Sequence, residues 1–198
     1  MRLGKAIVVA VGATVLLAAL VGTASAGRLS TSSLGMKATW ARLIFSGGVG
    51  NIECEVVAEG AFHERTISKT RGTLSGLLTS ANVTRCARGG VTVLRETLPW
   101  HLRYDSFSGT LPNITNIRAT IVGVAFRLRE PAFGIECLSR STTEEPANIV
   151  FNRETATGAT LSATVGGTLR CGGAAGTLSG TTSSFDNGSG TRVTVTLI

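Results

Sequence analysis

The sequence predicts an all-β protein tied by disulfide bonds, and three observations predict it. First, apolar and polar residues alternate with a period of two. Trp100, Leu102 and Tyr104 interleave with His101, Arg103 and Asp105, which is the pattern of a strand with one buried face. Second, glycine clusters and an Asp186-Asn187-Gly188-Ser189 turn punctuate the runs, as short strands joined by tight turns require. Third, Cys54, Cys86, Cys137 and Cys171 form an even set that follows an export signal, a combination that reads as a disulfide framework. No stretch of ten or more residues has helical periodicity. The expected architecture is a disulfide-tied β-sandwich, with a barrel as the alternative.

The N-terminus comes first in the chain and carries its own reading. Arg2 and Lys5 precede the apolar run Ala6 to Val21, and Ala24-Ser25-Ala26 supplies a small-x-small cleavage pattern. Residues 1–26 therefore read as a secretory signal cut before Gly27. The apolar run is short for a membrane span of about 20 residues, and no second run of that length follows. The expectation is a secreted, extracellular or wall-associated protein with no transmembrane anchor after cleavage. Residues 27–36, polar and small, read as a flexible leader, and residues 37–198 as a single all-β domain.

The signal distorts the composition and has to be set aside. Without it, 17 Lys and Arg face 12 Asp and Glu, a balance of +5. Fifteen of those cations are Arg, because only Lys37 and Lys69 are lysines. A modest, dispersed basicity fits an anionic partner such as a wall polymer or glycan, and equally fits an ordinary soluble surface. There is no block of like charge to point to a specific nucleic-acid site.

The cysteines recur in a pattern. Ile52-Glu53-Cys54 returns as Ile135-Glu136-Cys137, and Arg85-Cys86 as Arg170-Cys171. Thr73-Leu74-Ser75 and Thr160-Leu161-Ser162 lie between them. This reads as two pseudo-repeated halves, 37–115 and 116–198, each with its own bridge: Cys54–Cys86 and Cys137–Cys171. Coincidence in a Thr- and Gly-rich β sequence is the competing explanation. There is no CxxC spacing and there are two His, His63 and His101, so no metal site is expected.

Candidate strands follow in order: 39–46, 52–58, 66–78, 91–98, 100–105, 122–129, 134–139, 148–152, 160–170 and 192–197. Gly72-Thr73-Leu74-Ser75-Gly76 and Gly176-Thr177-Leu178-Ser179-Gly180 read as turns. The Asn-Gly pair at 187–188 fits a type I′ hairpin, whose two central residues need positive φ.

The densest segment is TLPWHLRYDSFSGTLPNITNI, residues 97–117. Trp100 and Tyr104 should share one face, and His101, Arg103 and Asp105 the other. Phe107 breaks the parity, so a bulge or turn is expected near Ser106. Two readings stand side by side. In one, Trp100, His101, Arg103, Tyr104 and Asp105 make a binding ridge. In the other, the aromatics belong to the core and the polar row is ordinary surface, which is the weightier reading because large aromatics dominate cores.

The run LPWHLRYDSFSGTLPNIT, the upstream Cys54 and Cys86, and the terminal run Arg192 to Ile198 resemble a group of uncharacterised small secreted proteins of high-GC Gram-positive-type bacteria. The resemblance covers most of the mature chain. It implies export and a shared architecture. That group has no assigned activity, so the resemblance assigns no functional residues.

The chemistry-bearing residues form no catalytic set. Neither His lies near a G-x-S-x-G elbow. Glu53 with Glu55, and Glu144 with Glu145, are the visible carboxylate pairs, and both read better as solvated charge than as a hydrolytic pair. No catalytic residue, metal or cofactor is assigned. The leading expectation is a secreted or wall-associated binding or structural module. A secreted hydrolase and a secreted inhibitor or effector are the alternatives.

Overall fold

The computed structural model describes residues 28–48, 50–110, 113–130, 134–155, 158–171 and 174–197, so the stretch 1–26, read from the sequence as a secretory signal, lies outside the described residues. The chain forms β1 (Leu29–Thr31), β2 (Gly35–Gly47), β3 (Gly50–Phe62), β4 (Thr66–Ile67), β5 (Leu74–Ala87) and β6 (Gly90–Val93). One 3-10 turn (Arg95–Thr97) follows, then β7 (Trp100–Thr110), β8 (Asn113–Val122), β9 (Ala125–Glu130), β10 (Ile135–Arg140) and β11 (Ala147–Thr155). The last strands are β12 (Gly158–Cys171), β13 (Ala174–Thr181), β14 (Ser184–Asp186) and β15 (Val195–Leu197).

Strands β2, β3, β5, β7, β8, β11, β12 and β13 pair in that order, and β13 returns to pair with β2. The closing ladder joins Thr177 to Ser46, Leu178 to Phe45 and Ser179 to Ile44. The sheet therefore curls until its ends meet. Its opposite walls face each other over one core, as the two sheets of a sandwich do, while its connectivity is that of a barrel. The all-β, disulfide-tied fold expected from the sequence is the fold observed.

Alternation places the apolar side chains inside. Trp40, Phe45, Ile52, Val56, Leu102, Tyr104, Ile121 and Phe151 are all buried. Lys37, Glu53, Glu55, Glu59 and Arg118 alternate with buried positions of the same strands and are half-buried or exposed. A lipid-facing barrel has the reverse arrangement, apolar outside and polar within.

Two small sheets close the ends. One has the order β10-β9-β6, the other β15-β1-β4. From β9, Phe126 reaches into the barrel and meets Phe45 and Trp100 edge to face, at 5.0 and 5.5 Å between ring centroids. From the other sheet, Ile67 and Val195 line an interior space with Leu102, Tyr104 and Ile117. Leu29 in β1 is completely buried. The stretch read as a flexible leader thus contains a cap strand, held by pairing to both β15 and β4. Its sequence, Leu-Ser-Thr, is too short to show periodicity; burial of one leucine fixes it.

Cys54 and Cys86 are directly opposite on β3 and β5 and are bonded. The second expected bridge is not formed: Cys137 is a buried free thiol. Its strand, β10, pairs with β9 in the cap, whereas Cys171 ends wall strand β12 beside Ala174. The two Ile-Glu-Cys triplets therefore occupy unlike places, one in the wall and one in a cap.

Two turn readings are corrected. Gly176 to Gly180 lies within β13. The glycine there serves close approach, not reversal: a Cβ on Gly180 would lie 2.8 Å from the Arg42 carbonyl oxygen of β2, where the ring closes. The 186–190 loop does turn the chain, but Asn187 lacks the positive φ that type I′ needs. Its side-chain oxygen instead accepts from the backbone N–H groups of Ser189 and Thr191 at 3.0 and 3.1 Å, an Asx-type turn.

Candidate functional site

The aromatic ridge divides into two parts with different roles. Trp100 and Tyr104 are 3% and 4% exposed. They belong to the core, as the weightier of the two readings held. The Trp100 indole N–H donates to Thr97 Oγ1 at 2.9 Å, and that hydroxyl donates to the Leu94 carbonyl at 2.7 Å. The 3-10 turn thus supplies the polar partner that a buried tryptophan needs. Burial pushes the Tyr104 phenol above its ordinary pKa, with a smaller push from Asp105. The expected bulge is present: the β7–β8 register shifts between Tyr104 and Ser106.

Facing outward from the same strand, His101, Arg103 and Asp105 are half-buried. Asp105 is already engaged. It accepts from Arg71 Nε at 2.7 Å and from Ser106 Oγ at 3.1 Å. The carboxylates weighed for hydrolysis are engaged as well. Glu53 accepts two hydrogen bonds from the Arg42 guanidinium, at 2.6 and 2.7 Å. That contact holds the Glu53 carboxyl below its ordinary pKa. Glu55 lies 3.7 Å from Arg85, and Glu59 lies 3.0 Å from Lys37. Glu144 is held below its ordinary pKa by backbone and Thr142 hydrogen bonds within its own loop.

Among the described residues, two small interior spaces of about 20 and 30 Å³ are lined almost wholly by apolar side chains, with Ser75 in the first. Each has room for about one or two water molecules, against roughly 300 Å³ for the smallest ordinary ligand pocket. Among the described residues, no three His, Cys, Asp or Glu gather as metal ligands.

The outer face of the β10-β9-β6 cap is different in kind. Register puts Arg127 and Arg129 of β9 on one face with Glu136, Leu138 and Arg140 of β10: Leu138 is opposite Arg127, Glu136 opposite Arg129 and Arg140 opposite Ala125. Thr92 of β6 joins them opposite Arg127. All of these except Ala125 are exposed, and Leu138 is 42% exposed. The opposite face of the same strands, with Val91, Val93, Phe126, Leu128 and Cys137, is buried. Two of the three arginines were visible in the sequence as an alternating pair. Bringing Arg140 beside them required the β9–β10 register, which no local pattern encodes.

Comparison of the chain with protein-family models, with curated proteins and with solved structures gave no match.

Proposed function

We propose that this protein is an exported binding module that attaches to an anionic polymer or glycan of the cell surface. The observation that supports this reading most is the contrast between a buried apolar interior and an exterior with surplus arginine. The two interior spaces lined by described residues are only about 20 and 30 Å³, which favours recognition on the outer surface. That surface carries the arginine excess of a mature chain whose balance is +5. A cationic surface attracts polyanions at long range and releases them as salt screens the field. The Cys54–Cys86 bond and the signal-like segment 1–26 support export, since disulfides persist in oxidising compartments. Glu53, Glu55 and Asp105 are each engaged by an arginine, and an acid held ionised by a cation is poorly suited to act as a general acid.

The test is co-sedimentation of the purified mature protein with cell envelopes of the source organism over a salt series. Binding that falls as salt rises is expected. Absence of binding at low salt overturns the reading.

A further inference from the structure

The geometry points to a specific binding face: we propose that Arg127, Arg129 and Arg140 on the outer face of the β10-β9-β6 cap grip a linear polyanion with phosphodiester or carboxylate groups on a polyol or sugar backbone. This rests on the binding reading above and deepens it by naming the site and the ligand chemistry.

Charge complementarity is the first argument. Four cations outside the cap are matched, Lys37 with Glu59, Arg42 with Glu53, Arg71 with Asp105 and Arg85 with Glu55, and the unmatched Arg103 and Arg118 stand singly on β7 and β8. Among the described residues of the cap, three guanidiniums share a face with one carboxylate, Glu136, which is opposite Arg129 in register and forms no ion pair with it. The cap face carries a net surplus of two positive charges. Each guanidinium keeps its donors for a ligand, and an arginine fork fits phosphate or carboxylate in a two-pronged contact.

Spacing is the second. Arg127 and Arg129 project from alternate positions of one strand, about 7 Å apart. Arg140 continues the row on the neighbouring strand, beyond Arg127. A rigid row suits a chain with repeated charges, because each added contact is intramolecular once the first is made. The strands cannot easily give way, since Phe126 and Leu128 anchor their other face at 2% and 1% exposure.

The third is the footing between the charges. Leu138, 42% exposed, and Thr92 offer aliphatic and hydroxyl contact to a polyol or sugar backbone. Single-stranded nucleic acid would instead require outward aromatics for base stacking, and the row presents none among its described residues.

The experiment compares three full-length mature proteins: wild type, Arg127→Gln/Arg129→Gln/Arg140→Gln, and Arg28→Gln/Arg65→Gln/Arg118→Gln. The last makes the same change of net charge at exposed arginines elsewhere. The probes are poly(glycerol phosphate), polygalacturonate and a single-stranded oligonucleotide, with thermal melting to check folding. The cap variant is expected to bind the first two at least tenfold more weakly at low salt, with a flatter salt dependence, while the control variant stays within about threefold of wild type. Preference between the two polymers identifies phosphate or carboxylate as the anion. Equal loss in both variants, or tighter binding of the oligonucleotide than of either polymer, overturns the proposal. If wild type binds envelopes and the cap variant binds them equally, the face is wrong and the binding reading stands. If wild type binds neither envelopes nor polymers, both fall.

Discussion

The two caps solve the same problem with the same material and differ in what they show to solvent. Each is a three-stranded sheet that drives apolar side chains into one end of the barrel: Leu29, Ile67 and Val195 at one end, Val91, Phe126 and Leu128 at the other. The outer positions of β1 and β4 are Ser30 and Thr66, paired opposite each other and half-buried. At the other end stand Arg127, Arg129, Arg140 and Leu138, all exposed. Closing a barrel end demands only the inner row. The outer row is free to vary, so a guanidinium row on one cap and small hydroxyls on the other is a chemical difference the fold does not impose.

The largest expected effect tests whether the caps are equal as structure. Phe126→Ala removes the ring that meets Phe45 and Trp100, and should cost about 4 kcal/mol in urea unfolding. Leu29→Ala, at a completely buried site in the other cap, should cost about 3 kcal/mol. A cost below about 1 kcal/mol for either would mean that cap opens in solution and does not seal the barrel.

Next comes the corner that carries the chain from wall to cap. Arg88 and Gly89 have φ of 59° and 113°, which turns the backbone out of β5 and into β6. A Cβ on Gly89 would lie 2.8 Å from the Arg129 carbonyl oxygen, so Gly89→Ala should cost about 2 to 3 kcal/mol. Gly134, at φ 64° before β10, has open space around it, and Gly134→Ala should cost only about 1 kcal/mol. Equal losses would show that crowding against β9 adds nothing to the backbone cost.

The two tryptophans sharpen the comparison further. Trp100 donates to Thr97 near the arginine-bearing cap, whereas the buried Trp40 Nε1 has no hydrogen-bond partner among the described residues. Replacing each by Phe removes similar volume, but only Trp100→Phe breaks a hydrogen bond, taking away the donor to Thr97 Oγ1. Trp100→Phe should therefore be the more destabilising by about 1 kcal/mol. Reversal of that order would place the Trp40 N–H in a bond.

These contrasts also show what the sequence could and could not tell. Strands with an unbroken two-residue alternation, such as Trp100 to Asp105 and Ile52 to Ala58, were legible because one face is buried. So was the bulge at Ser106, since Phe107 breaks parity with Tyr104. The stretch read as one strand over 66–78 is divided by the Gly72 turn, and β5 runs on to Ala87, where Thr84 and Arg85 face solvent and Cys86 is held by its bond. Strand β13 was hidden because its glycines looked like turns, whereas the one at 180 serves close approach to β2. The Cys54–Cys86 pair followed from an internal similarity that the fold does not repeat at Cys137. The cap face was hidden for a topological reason: Arg140 and Arg127 meet only once β10 pairs with β9.

The smallest effect separates paired wall charge from cap charge. Glu53 is exposed to solvent, and its carboxyl is held below its ordinary pKa mainly by the hydrogen bonds from Arg42. A depressed folded-state pKa gives stability that is present above the ordinary value of 4.5 and is lost as pH falls through the lower, folded value. Glu53→Gln should leave neutral-pH stability almost unchanged, because exposed pairs contribute little. It should slightly flatten the stability profile below pH 4.5, and high salt should reduce the difference. The arginine row on the cap has no such paired acid, so Arg127→Gln should leave the acid limb of that profile as it is in wild type. A change there equal to that of Glu53→Gln would reveal a carboxylate leaning on Arg127, with Glu136 the nearest on its face, and would reduce the surplus charge available to a polyanion.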